Sequence, residues 1–311
     1  MKIFNKIFKI VTNSLYRFNI LSHYGFFNNC TDEKFLKKKF KLIFGYELNL
    51  KNPQTFNEKL QWLKLYDRNP LYTIMVDKYK VKEYVANIIG KEYIIPTLGV
   101  WDTPEEIDFD KLPNQFVLKC NHNSGLGMCI CKDKTKLDIK KVKKELDKGL
   151  KQNYYLTNRE WPYKDVPRKI IAEKYMEDKE IKGLIDYKFF CFNGQPKFMY
   201  ISNDIGMKPH TDFFDMDKNI LLFRIKDPPS LKKPTIPKQF EQMKKIAMCL
   251  SKNIPHVRVD FYIVKEQIYL GELTFFHNSG FIKFTPNEWD KKIGDWLVLP
   301  KKTNETKKSF F

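Results

Sequence analysis

The sequence predicts an α+β fold that is helical at its start and rich in strands through its second half. Three observations lead there. Apolar residues recur at helical spacing ahead of residue 90, as at Leu60, Leu63 and Leu65, and again between Val76 and Ile89. Two hairpins can be read directly: Phe116–Cys120 with Met128–Cys131 around the polar Asn121–Gly127, and Asp186–Phe192 with Gln195–Ile201 around Asn193-Gly194. Finally, Val257, Val259 and Phe261 alternate with Arg258, Asp260 and Tyr262, and Ile268, Leu270 and Glu272 keep the same period-two rule after a turn at Val264–Gln267.

Taken in order, the first element is a basic amphipathic helix. Ile3, Phe4, Ile7, Phe8, Val11, Leu15 and Phe18 recur at helical spacing between Lys2, Lys6, Lys9 and Arg17, with no acid before Asp32. Such a helix suits either an anionic membrane surface or a seat on its own domain, and it is too interrupted to span a bilayer. A lysine-rich helix around Asp32–Leu48 follows. Thr55 or Asn57 then caps a helix burying Leu60, Leu63 and Leu65. Val76–Ile89 reads as one helix stopped by Gly90, and Tyr93–Trp101 as a strand. Beyond the first hairpin, Lys136–Leu150 is a charged helix, Lys169–Met176 an apolar strand and Gln239–Lys252 a helix leading into the carboxylate strands. Asp227–Pro237 is an extended, proline-rich connection, and Pro300–Phe311 a basic tail.

A chain of 311 residues with a formal charge of +19 can bury a substantial core and favours an anionic partner. Because much of the excess is lysine spread over helical faces, charge gives the partner's sign and not its identity; a nucleic-acid binder is the least favoured class. Six cysteines without paired CxxC spacing argue for reduced thiols in a cytoplasmic protein and against structural zinc.

The chemistry-bearing residues begin with Asp260 and Glu272. The turn between their strands brings two carboxylates within reach of one cation, with Arg258 beside them, and hard oxygen ligands of this kind suit Mg²⁺. Lys119 ends an apolar strand just before a loop containing Ser124, Gly125 and Gly127, an arrangement in which a lysine and backbone N–H groups can hold phosphate. It lacks the Gly-Lys-Ser/Thr ending of a Walker sequence. Asp215-Met-Asp217 offers a competing reading as the Asp-x-Asp motif of a metal-dependent glycosyltransferase, although Asn219 also suits an ordinary turn. The five histidines have no ligand spacing. His122 and His277 lie in the loops nearest these residues, and His210 is a candidate for acting on an amine.

Val76-Asp-Lys78 through Lys82, Ile95-Pro96, Val117-Leu-Lys119 with its Ser-Gly loop, Ile171-Ala-Glu173-Lys-Tyr-Met176 and Arg258-Val-Asp260 through Glu272 stand in the order found in ATP-grasp enzymes. The chain resembles that superfamily from about Asp77 to Gly280. With Thr55–Leu60, Asp186–Phe190, Phe192-Asn-Gly194 and Gly271–Phe275, it looks most like the TupA-like branch, associated with teichuronopeptide and capsular polysaccharide biosynthesis, back to about Phe40. The resemblance implies an ATP-grasp fold in which two α+β lobes clasp a nucleotide behind a helical N-terminal region. Its divisions would be a basic helical region at 1–50, a pre-grasp region at 51–115, a small lobe at 116–176, a large lobe with the metal site at 177–300 and a tail at 301–311.

By the same resemblance ATP and Mg²⁺ are the cofactors. Lys78 and Lys119 would bind phosphates beneath the loop of Ser124, Gly125 and Gly127. Glu173, Lys174 and Met176 would form the adenine hinge, with Asp186, or alternatively Glu180, on the ribose. Lys208 would reach the terminal phosphate, Asp260 and Glu272 would hold Mg²⁺, and Arg258 would steady the acyl-phosphate or the tetrahedral oxyanion. The family commonly places Asn two residues after its metal-binding Glu; here Thr274 stands there, and Asn278 is the other candidate for completing the shell. The implied activity is a Mg-dependent carbon–nitrogen ligase that phosphorylates a carboxylate and passes the acyl group to an amine. An acidic surface glycan is the expected carboxylate partner, and the basic first helix fits a cytoplasmic enzyme peripheral to the inner membrane face.

Overall fold

The computed structural model describes residues 8–178, 180, 183–203 and 209–302. The expected basic helix therefore falls partly outside the described residues, at positions 1–7, as do Lys208 and the tail from Thr303 on. The fold is α+β, with helices preceding the sheets. The chain divides into two compact units, one of Met1–Asn69, Tyr155–Trp161 and Asn278–Phe311, the other of Pro70–Tyr154 and Pro162–His277.

The first unit is helical: Ser14–His23, Asp32–Phe44, Phe56–Tyr66 and Glu288–Trp296. Thr31 caps the second of these, and Gly45, at φ 85°, ends it in the left-handed conformation that glycine adopts without a Cβ penalty. Thr55 is the cap of Phe56–Tyr66 and forms a capping box with Glu58. Asn57 instead ties three chain segments together. Its amide donates to Asp290 Oδ2 and to Ile282 O, both at 2.8 Å, while its Oδ1 accepts from the Ile282 N–H at 2.8 Å.

The second unit carries both sheets. Strands β1 (Thr97–Trp101), β2 (Phe116–Cys120), β3 (Met128–Cys131) and β4 (Ile170–Lys174) form an antiparallel sheet in the order β1-β4-β2-β3. Phe116, Leu118, Ile170 and Ala172 bury one face against Val142 and Leu146 of the helix Ile139–Lys151. Strands β5 (Asp186–Phe192), β6 (Gln195–Asn203), β7 (His210–Asp215), β8 (His256–Val264) and β9 (Gln267–Thr274) form a second antiparallel sheet, ordered β7-β6-β5-β8-β9. The helix Phe240–Ser251 packs on β5, β6 and β8, with the Phe240 and Phe189 ring centroids 5.7 Å apart. Asn193-Gly194 and Lys265-Glu266 close the β5–β6 and β8–β9 hairpins with positive φ at both turn residues, the geometry that matches strand twist.

Three elements differ from expectation: the first helix is broken at Asn13, whose side chain caps Ser14–His23, the strand expected from Tyr93 begins only at Thr97, and the helix expected at Val76–Ile89 is interrupted. Val76–Ile89 is not continuous: a helix Leu71–Val76 ends, Asp77 turns extended at ψ 109°, and a second helix runs Lys80–Ile89. The Asp77 carboxylate accepts from the N–H groups of Tyr79 and Lys80 and from the Asn121 amide. This local alternative to helical bonding is what an Asp at a helix start provides, and it places Lys78 in the break.

Candidate active site

The expected pairing of Asp260 with Glu272 is present. They are direct partners between β8 and β9, and the register then shifts by one, leaving Gly271 without a partner on β8. A Cβ on Gly271 would meet the Tyr262 ring at 2.9 Å, so the bulge needs a glycine there.

Arg258 projects from the same face of β8 as Asp260, and both are buried, at 6% and 1% exposure. Arg258 Nε donates to Asp260 Oδ1 at 2.6 Å, and Nη2 to Asp260 Oδ2 at 2.6 Å and to Glu272 Oε1 at 2.7 Å. Thr274 joins the cluster, accepting from Arg258 Nη2 at 3.1 Å and donating to Glu272 Oε1 at 2.8 Å. Lys188 Nζ completes it, 3.0 Å from Asp260 Oδ2 and 3.1 Å from Asp186 Oδ1. Burial pushes the Glu272 carboxyl up, but Arg258, Lys78 and Lys188 outweigh it and hold the pKa down at about 2, even with 43% of the side chain exposed. Burial raises Asp186, and it would lower Lys188 were the Asp260 charge not stronger, so the ammonium is held above its usual range.

These oxygens fit Mg²⁺. Asp260 Oδ2 and Glu272 Oε1 already converge on a single guanidinium nitrogen, which shows that they can converge on one cation, and the donors are the hard oxygens that Mg²⁺ prefers. Among the described residues no three His, Cys, Asp or Glu side chains are placed to hold one metal ion together, so two carboxylates and the Thr274 hydroxyl are the set on offer.

A second cluster sits between β2, β4 and the helix Lys80–Ile89. Glu173 on β4 is 2.7 Å from Lys82 Nζ and 2.5 Å from Lys119 Nζ, and it is the two lysines that keep its carboxyl ionised against its burial. Lys78 donates to the Asn123 carbonyl of the glycine loop, and burial lowers its pKa. The loop is tied at its root by Asn123 Nδ2 to Gly149 O and by His122 Nε2 against Gln152 O, each at 3.1 Å, which leaves Ser124 and Gly125 exposed. Lys78, Lys82, Lys119, Glu173 and Glu272 all line one cavity, whose apolar wall includes Val81, Ile94, Ile95 and Leu270. Its volume is about 30 Å³.

The structure thus gathers Lys78, Lys119, Glu173 and Glu272 about one cavity, and Asp186, Arg258, Asp260, Glu272 and Thr274 in one polar cluster. Lys174 is exposed at the end of β4 and gives its N–H to Pro96 O at 2.9 Å; Met176 follows, half-buried. Glu180, the alternative to Asp186, is exposed. Asp215 caps its own turn, accepting from the N–H groups of Asp217 and Asn219 and from the Asn219 amide. Sequence reasoning missed Lys82 and Lys188, whereas His277, expected in a loop nearest these residues, meets Arg258. Signals existed for both lysines: Lys82 lies about one helical turn after Lys78, and Lys188 two residues after Asp186 on the same strand face.

The D-alanine–D-alanine ligase of Bacillus anthracis complexed with ATP is 17% identical, with a TM-score of 0.40 over 65% of this chain and 54% of that one. The Helicobacter pylori D-alanine–D-alanine ligase is 15% identical, with a TM-score of 0.42 over 79% and 70%. N5-carboxyaminoimidazole synthase of Aspergillus clavatus, in complex with ADP and 5-aminoimidazole ribonucleotide, is 13% identical, with a TM-score of 0.37 over 66% and 46%. The chain spans about half the length of the first of these. No curated protein matches it. The model of the TupA-like ATPgrasp family matches residues 58–298, and the chain belongs to that family.

Proposed function

We propose that the chain is an ATP- and Mg²⁺-dependent carboxylate–amine ligase that joins an amino acid or small amine to a carboxylate of a surface glycan or its precursor. Beyond family membership, one observation carries the reading: Asp260 and Glu272 converge on a single cationic nitrogen, and Glu272 also lines the cavity that holds Lys78 and Lys119.

In this reading Lys78 and Lys119 hold the phosphates, the Asn123–Gly127 loop covers them, and the apolar wall of Val81, Ile94, Ile95 and Leu270 receives adenine. Glu173, Lys174 and Met176 form the hinge beside it, Asp186 holds the ribose, and Lys208 reaches the terminal phosphate. Asp260, Glu272 and Thr274 would hold Mg²⁺, which supplies charge neutralisation at the phosphates. A substrate carboxylate oxygen attacks the γ-phosphorus and ADP leaves. The amine nitrogen then attacks the acyl carbon, inorganic phosphate departs and the amine loses a proton. Arg258 steadies the oxyanion that forms between these two events, because fixed positive charge there stabilises the transition state more than the ground state.

The glycan assignment is supported by the branch to which the chain belongs and by its net charge of +19. Peripheral attachment at the inner membrane face is supported by the exposed Phe8 and Val11 beside Lys9, and among the described residues no helix is long and apolar enough to cross a membrane. The test is to incubate purified protein with Mg²⁺, ATP and a panel of uronic-acid glycosides and amines. ADP should form only when both a carboxylate and an amine are present; robust turnover of a nucleotide sugar without ATP would sink the ligase reading.

A further inference from the structure

Arg258 has two working edges. Its Nε and Nη2 are spent on Asp260, Glu272 and Thr274, and its Nη1 lies 2.5 Å from Nδ1 of His277. A guanidinium has donors and no acceptor, so the ring nitrogen facing it must present a lone pair. The hydrogen bond therefore fixes His277 as a neutral imidazole with its proton on Nε2.

The ring is also held in place by packing. His277 is 5% exposed, three residues past Thr274, with the Phe190 ring edge-on at 5.0 Å and 85° and the Tyr200 ring at 6.0 Å. Phe190 is on β5 and Tyr200 on β6, so two strands of the sheet orient an imidazole that in turn meets a residue of a third.

We infer that His277 is a positioning residue, anchoring the Nη1 edge of Arg258 so that the guanidinium keeps its aim when its carboxylate partners are engaged elsewhere. The inference rests on the proposed role of Arg258 at the reacting oxyanion. A cation held by Asp260 and Glu272 competes for the oxygens that now fix the other edge of Arg258, and the imidazole does not take part in that competition. Burial and the neighbouring Arg258 and Lys188 charges hold His277 well below its usual pKa, in keeping with a ring that accepts and does not repel.

The substitutions that test this separate the two ring nitrogens. His277→Asn places an amide oxygen near the position of Nδ1, whereas His277→Gln reaches toward Nε2. His277→Ala should lower kcat by roughly 10²-fold, the scale of a misplaced reacting group, with little change in the KM for ATP. His277→Asn should recover most of that loss and His277→Gln should not, and added imidazole should partly rescue His277→Ala. Equal losses in the Asn and Gln variants would overturn the inference.

A second readout does not depend on turnover. In protein labelled with ¹⁵N at histidine, Nδ1 of His277 should resonate as an unprotonated nitrogen and shift on Arg258→Lys; a protonated Nδ1 would overturn the inference. If the wild-type protein turned over no ATP with any acceptor while this signal was present, the ligase reading would fail and the Arg258–His277 contact would stand.

Discussion

Lys188 Nζ lies 3.0 Å from Asp260 Oδ2 and 3.1 Å from Asp186 Oδ1, so one ammonium ties the start of β5 to the candidate metal carboxylate on β8. Lys188→Met removes that charge and leaves Asp260 with Arg258 alone. Losing one partner of a buried ion pair is costly, and with Arg258 still present the expected loss of stability is about 2 kcal/mol. Mg²⁺ should restore part of it by taking the place of the ammonium at the carboxylate. Thermal melts with and without MgCl₂ check this; a loss that Mg²⁺ leaves untouched would count against a cation at Asp260.

Asp260→Asn and Glu272→Gln keep the shape of each side chain and remove its charge. Each should abolish ADP formation in the ligase assay while circular dichroism stays that of the wild type. Unchanged activity in both variants would remove the metal assignment.

Three buried imidazoles, His277 among them, set an acid limit on stability. Burial lowers the pKa of His122 from 6.5 to about 4 and that of His256 from 6.5 to about 3 in the folded protein. Above about pH 6.5 both states hold these rings neutral. As pH falls below that value the unfolded chain binds protons that the folded chain refuses, so stability declines until the folded values are reached. The slope is about 1.4 kcal/mol per pH unit for each ring. Urea midpoints between pH 7 and pH 4.5 should fall accordingly, and His256→Gln should flatten the decline; an identical slope in that variant would refute the assignment.

Asn57→Ala opens the clamp on Ile282 and Asp290 in the helical unit. It strands the Ile282 N–H and C=O and takes from the buried Asp290 carboxylate one of its two Asn57 donors, the side-chain amide, while the backbone N–H stays. Leaving such groups unsatisfied costs about 3 kcal/mol. Denaturation of this variant beside Asn52→Ala, an exposed control, measures the difference; a loss under about 1 kcal/mol would show that the clamp carries little.

Much of this was legible because strands and turns announce themselves locally. Alternation at Val257–Tyr262 placed Arg258 and Asp260 on one face, and the turn at Lys265-Glu266 brought Glu272 opposite, as the register shows. The break at Asp77 was hidden because only half of what fixes its carboxylate is local: beside the Tyr79 and Lys80 N–H groups, Asn121 donates to it from the loop after β2. Lys82 and Lys188 were passed over for a related reason. In a chain this rich in lysine, only the carboxylate a lysine meets in space distinguishes it from its neighbours, and Glu173 lies more than seventy residues from Lys82, as Asp260 does from Lys188.

The root of the glycine loop carries one more consequence. A Cβ on Gly127 would stand 2.8 Å from the Gly149 Cα, and one on Gly149 would stand 2.6 Å from the Gly127 Cα, with the Cys120 thiol 2.7 Å from either. The two positions therefore share a single gap, and neither can enlarge to compensate the other. Gly127→Ala and Gly149→Ala should behave as a coupled pair: whichever comes first forces loop and helix apart, and the second then adds less than its separate cost. Gly127 carries the further burden of φ 68°, so its substitution should be the more damaging of the two. Gly127 and Gly149 thus form one steric constraint, and it is this shared gap that seats the loop proposed to cover the phosphates.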